Sequence, residues 1–378
     1  MLVDKGDKEH GMEFKIDKNE FLRGLYLASG IADRKSTLPI LANVLLRTEG
    51  KDKLLCGATD LSVTTVAMLG AKIEKEGGLT VVARQLFEIV KGLPGDEVRV
   101  RRNEQSWAEI KSGKVEFKVV GMPDRDYPKL PAIAEAETYK VDSVTLREMI
   151  AKTIFSVSLD ETRQHLSGVL FESDGAYARM VSTDGHRLSK VGRPLPGGPK
   201  LPAGILIPRK GVTEIRRAIE NREAPCAIGV YQGNFVLKAD DVGLSVKLID
   251  GQFPPYEQVI PKDNDRAVVV GRMAMLDALK RVALMSSDKT WGVRIGLEKG
   301  KLRIESDNPD LGAAKEEIDV PYKGTALQIG FNARYFIELL GEIETPEVRL
   351  ELSGELDPGV VRPADGSDYV GVVMPMRL

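Results

Sequence analysis

The sequence predicts an α+β protein made of three copies of one folding unit. Thr59-Asp60, Thr183-Asp184 and Ser306-Asp307 recur at intervals of 124 and 123 residues, each after an apolar run and a turn-like segment. Asp126-Tyr127-Pro128 and Phe253-Pro254-Pro255-Tyr256 close the first two copies at matching positions. A repeat of this period indicates three copies of one domain. Because catalysis needs one asymmetric site, the repeat favours a protein that builds a shape over one that catalyses a reaction.

Each copy combines two segments of helical spacing with several short strands. The apolar residues from Leu146 to Ile154 follow the i, i+3, i+4, i+8 pattern of an amphipathic helix. Alternating apolar residues at 98–100, 115–119 and 348–352 are typical of half-buried strands. We therefore expect two helices packed on one face of an antiparallel sheet in each copy. The expected helices are Lys18–Ser29, Ala83–Gly92, Ser143–Phe155, Pro208–Arg222, Gly271–Met285 and Asn332–Glu342.

Two aperiodic stretches separate the three copies. Residues 131–137 lack any periodic pattern, and the second stretch surrounds Pro261-Lys262-Asp263-Asn264-Asp265. The sequence therefore predicts three domains, at residues 12–131, 140–261 and 265–378.

The composition is that of an ordinary globular protein. Of 378 residues, 42% are apolar and 29% are charged, which argues against extensive disorder. Cys56 and Cys226 are too few for a disulfide framework, and we expect them to be core residues in a reducing compartment. The sequence has no uncharged apolar run of 18 residues, and the charged segment 1–11 does not resemble a signal peptide. We expect that segment to be a short extension, and the protein to be cytoplasmic with no membrane partner.

The net charge of −2 hides a division of charge along the chain. In chain order the six expected helices carry +1, +1, +1, +3, +2 and −1, a total of +7, which leaves −9 for the rest. In the fourth helix Lys210 and Arg217 lie opposite the apolar stripe, flanked by Arg209 and Arg216. Taken singly, such charge is usually a solvated helix face. Taken over all three copies, it predicts a surface that follows a phosphate backbone without reading sequence.

The segment 182–188 is the strongest local motif, and it allows two interpretations. Asp184 and His186 could form an acid–base pair, since histidine titrates near neutral pH. The matching segments around Asp60 and Asp307 contain no histidine, however, and three histidines in the whole chain are too few for a His-rich metal site. Common zinc, hydrolase and nucleotide motifs are absent from the sequence. The favoured interpretation is that Asp184 organises a turn between strands, with no catalytic residue, metal or cofactor.

The C-terminal residues 372–378 also allow two interpretations. Apolar residues at the end of a chain often form a last core strand, but Met374 and Met376 flank Pro375 and make a poor regular strand. Methionine adapts to varied apolar partners. The alternative to a core strand is therefore a groove that accepts an incoming peptide.

In these motifs the sequence resembles the bacterial sliding clamps, the beta subunits of DNA polymerase III. The resemblance spans residues 12–378 and rests on segments 37–43, 92–94, 183–188, 208–212 and 373–378 and on the region from Asn332 onward. It implies a DNA clamp fold of three clamp domains and a head-to-tail homodimer that closes into a ring around duplex DNA. The ring would be a non-catalytic processivity subunit that tethers the replicative polymerase. A separate clamp loader would use ATP, and repair polymerases and other proteins with clamp-binding motifs would be further partners.

The resemblance also implies functional residues at three places. The implied DNA-binding residues are Arg34, Arg84, Lys91, Arg163, Arg209 and Lys210. The implied peptide-binding pocket, between the second and third domains, consists of Leu166, Thr183, Gly185, His186, Arg187, Leu188, Pro254, Val259, Val372, Val373, Met374, Pro375, Met376 and Arg377. The implied dimer interface places Phe117 and Val119 of one chain against Leu284 and Met285 of the other.

Two departures from the best-known clamps change these expectations. Gln164-His165 stands where those clamps carry a pair of tyrosines that touch DNA, so aromatic stacking is not expected there. Gln258 stands where an arginine can border the pocket, which weakens any expected contact with acidic ligand residues at that edge. Two other functions remain open from the residues alone: a hydrolase that uses Asp184 and His186, and a protein scaffold that acts independently of DNA.

Overall fold

The structure is a computed structural model that describes residues 11–33, 35–160, 162–262, 264–287 and 289–378. Arg34, one of the implied DNA-binding residues, lies outside the described residues, as do residues 1–10 of the expected N-terminal extension. Among the described residues, no helix is both long enough and apolar enough to cross a membrane.

All six predicted helices are present, with small differences at their ends. They are α1 (Lys18–Ile31), α2 (Ala83–Gly92), α3 (Ser143–Ile154), α4 (Arg209–Ala218), α5 (Arg272–Val282) and α6 (Ala333–Gly341). The first helix begins after Asp17, whose carboxylate accepts hydrogen bonds from the N–H groups of Asn19 (2.9 Å) and Glu20 (3.0 Å). The fifth helix continues into a 3-10 turn, Ala283–Met285. The predicted helical segment 271–285 is therefore two elements, an α-helix and one tighter turn.

The predicted strand segments at 98–100, 115–119 and 348–352 are confirmed, and they fall in the seventh, ninth and twenty-third of the strands that the described residues form. The strands are β1 (Glu13–Asp17), β2 (Asn43–Glu49), β3 (Lys53–Thr59), β4 (Val63–Gly70), β5 (Lys72–Lys75), β6 (Gly78–Val82), β7 (Glu97–Arg102), β8 (Trp107–Ser112), β9 (Val115–Met122), β10 (Tyr139–Val141), β11 (Gly168–Asp174), β12 (Tyr177–Thr183), β13 (Arg187–Pro194), β14 (Lys200–Pro208), β15 (Cys226–Tyr231), β16 (Asn234–Ala239), β17 (Val242–Lys247), β18 (Arg266–Gly271), β19 (Gly292–Glu298), β20 (Lys301–Asn308), β21 (Gly312–Asp319), β22 (Leu327–Asn332), β23 (Glu347–Leu352), β24 (Gly359–Pro363) and β25 (Tyr369–Val373).

Contacts divide the chain into two compact units. The first comprises residues up to 143 together with 213–248, and the second comprises 144–212 together with 249–378. The division falls inside the second copy of the repeat because strands of that copy pair with both other copies. In the first unit β17 pairs with β4, and in the second β13 pairs with β25. The repeat is thus visible in the sequence, whereas strand pairing across copies determines the compact units.

The first unit contains one antiparallel sheet in the order β10-β15-β16-β17-β4-β3-β2-β6-β9-β8-β7-β1-β5. Helix α1 packs on β3 and β4 and lies beside α2. Its apolar stripe buries Phe21 and Leu25 completely. Phe14 of β1 meets Phe21 edge to face, with ring centroids 5.9 Å apart. Burial of side chains of this size stabilises the fold by roughly 2–3 kcal/mol each.

The second unit contains two antiparallel sheets. Their strand orders are β14-β11-β12-β13-β25-β24-β23-β18 and β21-β20-β19-β22. Helices α5 and α6 pack against each other. Phe331 of β22 and Phe336 of α6 are fully buried and meet edge to face, with ring centroids 5.1 Å apart. The first and third repeats thus each combine two neighbouring helices with antiparallel strands, as the sequence predicts.

The predicted core cysteines, Cys56 and Cys226, are both buried and are not joined in a disulfide. Burial raises the pKa of the Cys56 thiol to about 12, so the thiol stays protonated at neutral pH. Both residues therefore act as small apolar side chains of the core.

The turn after Thr59-Asp60 joins β3 to β4 and supports the pairing with β17. Asp60 Oδ1 accepts hydrogen bonds from the N–H groups of Ser62 (2.8 Å) and Val63 (2.6 Å). Leu61, which lies between Asp60 and Ser62, has φ of 74°. The carbonyl of Ser62 accepts a hydrogen bond from the N–H of Lys247 at the end of β17 (2.8 Å). One aspartate therefore sets both the turn and the position of the neighbouring strand.

The segment after Pro128 packs across this strand pairing. A Cβ atom at Gly57 would lie 2.8 Å from Leu130 Cδ1, and one at Gly243 would lie 3.1 Å from Ile133 Cγ2. Glycine at these two strand positions therefore makes room for the two apolar side chains. Lys238 Nζ donates to two carbonyl oxygens of the same segment, at 3.0 and 2.9 Å, and holds it in place.

In the third copy the residue that accepts the turn hydrogen bond lies one position later than in the first two. Strand β20 continues through Ser306 and Asp307 to Asn308. Asn308, one position later than in the other copies, accepts the turn hydrogen bond from the N–H of Asp310 (3.0 Å). The Ser306-Asp307 pair is therefore part of a strand and does not itself form the turn.

Candidate docking site

The turn between β12 and β13 repeats the geometry of the Asp60 turn. Asp184 Oδ1 accepts hydrogen bonds from the N–H groups of His186 (2.9 Å) and Arg187 (3.0 Å). Thr183 Oγ1 accepts another from the N–H of Gly185 (3.1 Å), and Gly185 has φ of 89°, a conformation that glycine adopts without strain. The prediction that Asp184 organises a turn is confirmed.

Strand β25 brings the C-terminal segment against this turn. It pairs antiparallel with β13 and places Val372 opposite Leu188. The strand ends at Val373, and the N–H of Met374 then donates to the carbonyl of His186 (2.8 Å). Met374 and His186 therefore have the same backbone relation as Lys247 and Ser62 in the first unit.

The residues after β25 leave the strand but remain attached to the second unit. The N–H of Met376 donates to the carbonyl of Gly330 on β22 (2.8 Å). Met374 is 36% exposed and Leu378 is 51% exposed. Val372 and Val373 therefore belong to a core strand, as the first interpretation predicts, and the residues that follow form an accessible segment beside it.

An apolar cluster lies beneath the turn and includes two of the implied pocket residues, Leu188 and Val372. Its buried members are Leu170, Val181, Leu188, Tyr256, Val360, Val370 and Val372, and Phe253 and Ile260 pack against it. The Tyr256 hydroxyl donates to Glu172 Oε2 (2.9 Å). Burial, with a smaller contribution from this hydrogen bond, raises the pKa of Tyr256. Pro254, another implied pocket residue, lines an adjoining cleft of about 750 Å³ together with Glu172.

The implied pocket residues differ in exposure, and some are buried, some half-buried and some exposed. The buried residues are Leu166, Leu188, Val372 and Val373, and the half-buried ones are Thr183, Arg187, Pro254, Pro375 and Met376. The exposed residues are Gly185, His186, Val259, Met374 and Arg377. The exposed and half-buried residues are therefore the accessible part of this set.

Arg187 joins the turn to α6 and to the residue that follows α3. Its Nε donates to Asp184 Oδ2 (3.0 Å), its Nη1 to Glu338, and its Nη2 to the carbonyl of Phe155 (2.5 Å). The guanidinium carbon lies 5.4 Å from the ring centroid of Phe155 and 4.6 Å from that of Tyr335. The Arg187 side chain is only 11% exposed. Its position is therefore fixed by hydrogen bonds from all three nitrogens and by two aromatic rings.

Phe155, Tyr335 and Glu338 are neighbours of this turn that the sequence does not predict. Helical spacing places residues 335 and 338 near each other on α6, but the contact between Glu338 and Arg187 joins residues 151 apart. Desolvation of the Glu338 carboxyl opposes ionisation, but its hydrogen bonds with Arg187 and Arg334 outweigh that effect and lower its pKa. Glu338 is therefore ionised at neutral pH.

The implied DNA-binding residues that the structure describes are all exposed. Arg84 and Lys91 lie on α2, Arg209 and Lys210 lie in the first turn of α4, and Arg163 precedes the 3-10 turn Gln164–Leu166. Over their observed bounds the six helices carry +1, +1, +1, +3, +2 and 0, so the excess of positive charge on the helices remains.

Arg217 does not lie on a solvated face of α4, although helical spacing places it opposite the apolar stripe. Its guanidinium carbon is 3.7 Å from the ring centroid of Tyr26 on α1, and its side chain is 22% exposed. Its Nη1 also lies 3.8 Å from a carboxylate oxygen of Glu214. Arg217 therefore joins α4 to α1 by stacking on the Tyr26 ring.

The implied subunit-contact residues differ in how much surface they offer. Phe117 is 39% exposed and Leu284 is 73% exposed, whereas Val119 is only 6% exposed. Val120, the next residue on β9, is 60% exposed, because side chains alternate between the two faces of a strand. Met285 is half-buried.

The acid–base interpretation of Asp184 and His186 has no support in this geometry. Asp184 Oδ1 accepts from two backbone N–H groups and Oδ2 accepts from Arg187 Nε, so the carboxylate is occupied by the turn. The described part of the chain contains no group of three or more His, Cys, Asp or Glu side chains that could hold a metal ion.

Known proteins match this chain over nearly its whole length. Three family models match: DNA polymerase III beta subunit, N-terminal domain, at residues 12–131; central domain, at 140–255; and C-terminal domain, at 257–377. The beta sliding clamp of Pseudomonas putida is 36% identical over 368 residues, which cover 97% of this chain and 100% of the relative.

Two solved structures extend the comparison to the fold. A sliding clamp from Pseudomonas aeruginosa bound to griselimycin has a TM-score of 0.89 at 35% identity, and it covers 97% of this chain and 100% of its own. The DNA polymerase III beta subunit from Thermotoga maritima has a TM-score of 0.91 at 29% identity, with the same coverage of both chains. These matches rule out the hydrolase and the DNA-independent scaffold as the function of this chain. The chain belongs to the DNA polymerase III beta subunit family, the bacterial sliding clamps, which are non-catalytic processivity factors of DNA replication.

Proposed function

We propose that two copies of this chain close head to tail into a ring around duplex DNA and that the ring tethers the replicative polymerase and other replication and repair proteins. The family match along residues 12–377 carries this proposal. A ring stays on DNA by topology, so its contacts with DNA need only be weak and electrostatic. The clamp loader, as a separate protein, supplies the energy from ATP.

Two strand edges support the proposed subunit contact. Within the described residues, β21 pairs with β20 alone, and residues 115–120 of β9 pair with β8 alone. Unpaired edges of this kind readily accept a strand from another chain. Phe117 and Val120 lie on the β9 edge, and Leu284 lies in the 3-10 turn that contacts β21. We propose that β9 of one subunit meets β21 of the other, with Phe117 and Val119 near Leu284 and Met285.

The proposed DNA contacts are exposed cations on helices and on one loop. Arg84, Lys91, Arg209 and Lys210 are exposed on α2 and α4, and Arg163 is exposed before Gln164–Leu166. None of these side chains needs to read a base, since a sliding ring must pass over every sequence. Arg34 completes the proposed set from outside the described residues.

The proposed docking site is the accessible surface around the Asp184 turn and the residues after β25. Exposed Val259 and Met374 offer apolar area, and the buried cluster around Leu188 supports it. Such a combination of apolar surface with a few fixed polar groups suits a short apolar peptide. We further propose that the three clamp domains span 12–131, 140–261 and 265–378, and that the protein works in the cytoplasm.

Retention on circular DNA tests the ring mechanism. Protein loaded by a clamp loader onto nicked circular duplex should remain bound through gel filtration, and cutting the circle once should release it. The matched control is the same circle cut before loading. Equal retention on circular and cut DNA would contradict a topological link.

Removal of residues Met374–Leu378 tests the docking site. The truncated protein should lose at least ~100-fold in affinity, about 2.7 kcal/mol, for a labelled peptide that carries the polymerase's clamp-binding motif, while remaining a dimer. Leu356→Ala is a suitable control because Leu356 is a 72% exposed apolar residue elsewhere in the second unit. Peptide affinity within twofold of the full-length protein would refute the proposed site.

A further inference from the structure

Arg187 lies within the proposed docking site, where an arginine would ordinarily be expected to bind an acidic residue of the partner. Each of its three guanidinium nitrogens already donates to a group of the same unit: Asp184, Glu338 or the carbonyl of Phe155. The guanidinium carbon also lies near the rings of Phe155 and Tyr335. With 11% exposure, the side chain offers a partner little of its charge.

Glu338 is the hydrogen-bond partner of Arg187 that comes from α6. Its Oε2 accepts from Arg187 Nη1 and its Oε1 accepts from Arg334 Nε (2.9 Å). The α6 helix that carries it is anchored in the core by Phe336 and Leu339, which are buried. Glu338 is 28% exposed and its carboxylate is held from both sides. It therefore opposes any rotation of Arg187 toward a ligand, because such a rotation would separate two half-buried opposite charges.

We propose that Glu338 is a positioning residue that holds Arg187 in the wall of the docking site, so that the site selects partners by apolar side chains and not by acidic ones. This inference rests on the proposed function of the site as a peptide-docking surface. It assigns a role in partner specificity to a residue on α6 that does not itself belong to the accessible surface around the turn.

Other charges near the site set a background that the test has to separate. His186 and Arg377 are exposed and can each donate a hydrogen bond to an acidic peptide in any variant. Their contribution is the same whether Arg187 is held or released. The informative quantity is therefore the ratio of the affinities for an acidic and a neutral peptide, compared between variants of this chain.

The experiment uses two labelled peptides with the same apolar motif, one with Asp and one with Asn immediately before it. Fluorescence anisotropy measures both affinities in the full-length wild-type protein, in Glu338→Ala and in Glu338→Ala/Arg187→Ala. Glu338→Ala releases both Arg187 and Arg334, and the Arg187 guanidinium should raise the acidic-to-neutral affinity ratio roughly tenfold, as expected for a new close charge pair. The double variant should return the ratio to that of the wild type. A loss of stability alone would lower both affinities and leave the ratio unchanged.

Glu351→Ala is the matched control. Glu351 on β23 also binds two arginines, with Arg349 Nε at 2.8 Å and Arg362 Nε at 3.6 Å, but two strands separate β23 from β13 in the sheet. Its replacement should leave the ratio unchanged. An unchanged ratio in Glu338→Ala, with peptide binding intact, would overturn the inference about Glu338 alone. If the wild-type protein binds neither peptide, the proposed docking site fails, and the inference fails with it.

Discussion

Replacement of Asp184 by alanine tests whether the turn before β13 positions the docking site. The carboxylate accepts two backbone hydrogen bonds, at 2.9 and 3.0 Å, and one from Arg187 Nε at 3.0 Å. The side chain is 17% exposed, so water replaces these bonds only in part. At about 1 kcal/mol lost for each bond, we expect Asp184→Ala to lower the free energy of unfolding by about 3 kcal/mol. Since Met374 binds the carbonyl of His186 in the same turn, peptide affinity should fall about tenfold, equal to 1.4 kcal/mol.

Asp60→Ala is the matched control for this prediction. Asp60 accepts the corresponding bonds from Ser62 (2.8 Å) and Val63 (2.6 Å) in the first unit, where no docking site is proposed. The loss of these two bonds should lower the free energy of unfolding by about 2 kcal/mol and leave peptide affinity unchanged. Thermal unfolding and fluorescence anisotropy with a labelled clamp-motif peptide measure the two effects. Wild-type affinity in a destabilised Asp184→Ala protein would refute the reasoning, and so would equal losses of affinity in both variants.

Three further predictions concern DNA, the subunit contact and pH. Replacing Arg209 and Lys210 by alanine should make the plot of log binding constant against log salt shallower by about 2 per subunit, and an unchanged slope would show that neither residue contacts phosphate. Leu284→Glu places a charge at a position that is 73% exposed in the single chain and is proposed to be covered in the dimer. The dissociation constant of the dimer, measured by analytical ultracentrifugation, should therefore rise at least ~100-fold. An unaltered dimer at micromolar concentration would rule out this contact. Burial raises the pKa of Tyr127 from 10.0 to about 12, so the stability that its protonated phenol contributes is complete below pH 10 and is lost as the pH rises toward 12. Tyr127→Phe should therefore flatten the fall of the unfolding midpoint across that range, whereas parallel falls in both proteins would contradict the assignment.

The helices were predictable because their periodicity is local. Spacing of apolar residues placed all six, and the ends moved by at most a few residues, as at α4, which ends at Ala218 where the pattern extends to Arg222. The turn at Asp184 was also predictable, because an aspartate side chain forms short-range hydrogen bonds with the backbone two residues on. These features depend on residues within one or two turns of each other in the chain.

Contacts between distant residues were not predictable in the same way. The pairing of β17 with β4, which divides the second repeat between two compact units, leaves no local signal in either strand. The same is true of the bond from Arg187 to Glu338. Helical spacing places Arg217 opposite the apolar stripe of its helix. Its stacking on Tyr26, however, depends on a helix almost two hundred residues earlier in the chain. The burial of Val119 was not predictable for another reason. It depends on the register of β9, which decides which side chains of that strand are exposed.

Leu130 and Ile133, packed against Gly57 and Gly243, have a consequence for the design of inhibitors. The first copy has the same aspartate turn and the same strand pairing as the proposed docking site, so a compound shaped to that backbone has two potential places to bind on each chain. At the first place the chain's own leucine and isoleucine occupy the strand surface. A compound made for the second should therefore saturate at one molecule per subunit, and its dose–response curve should follow a single class of sites.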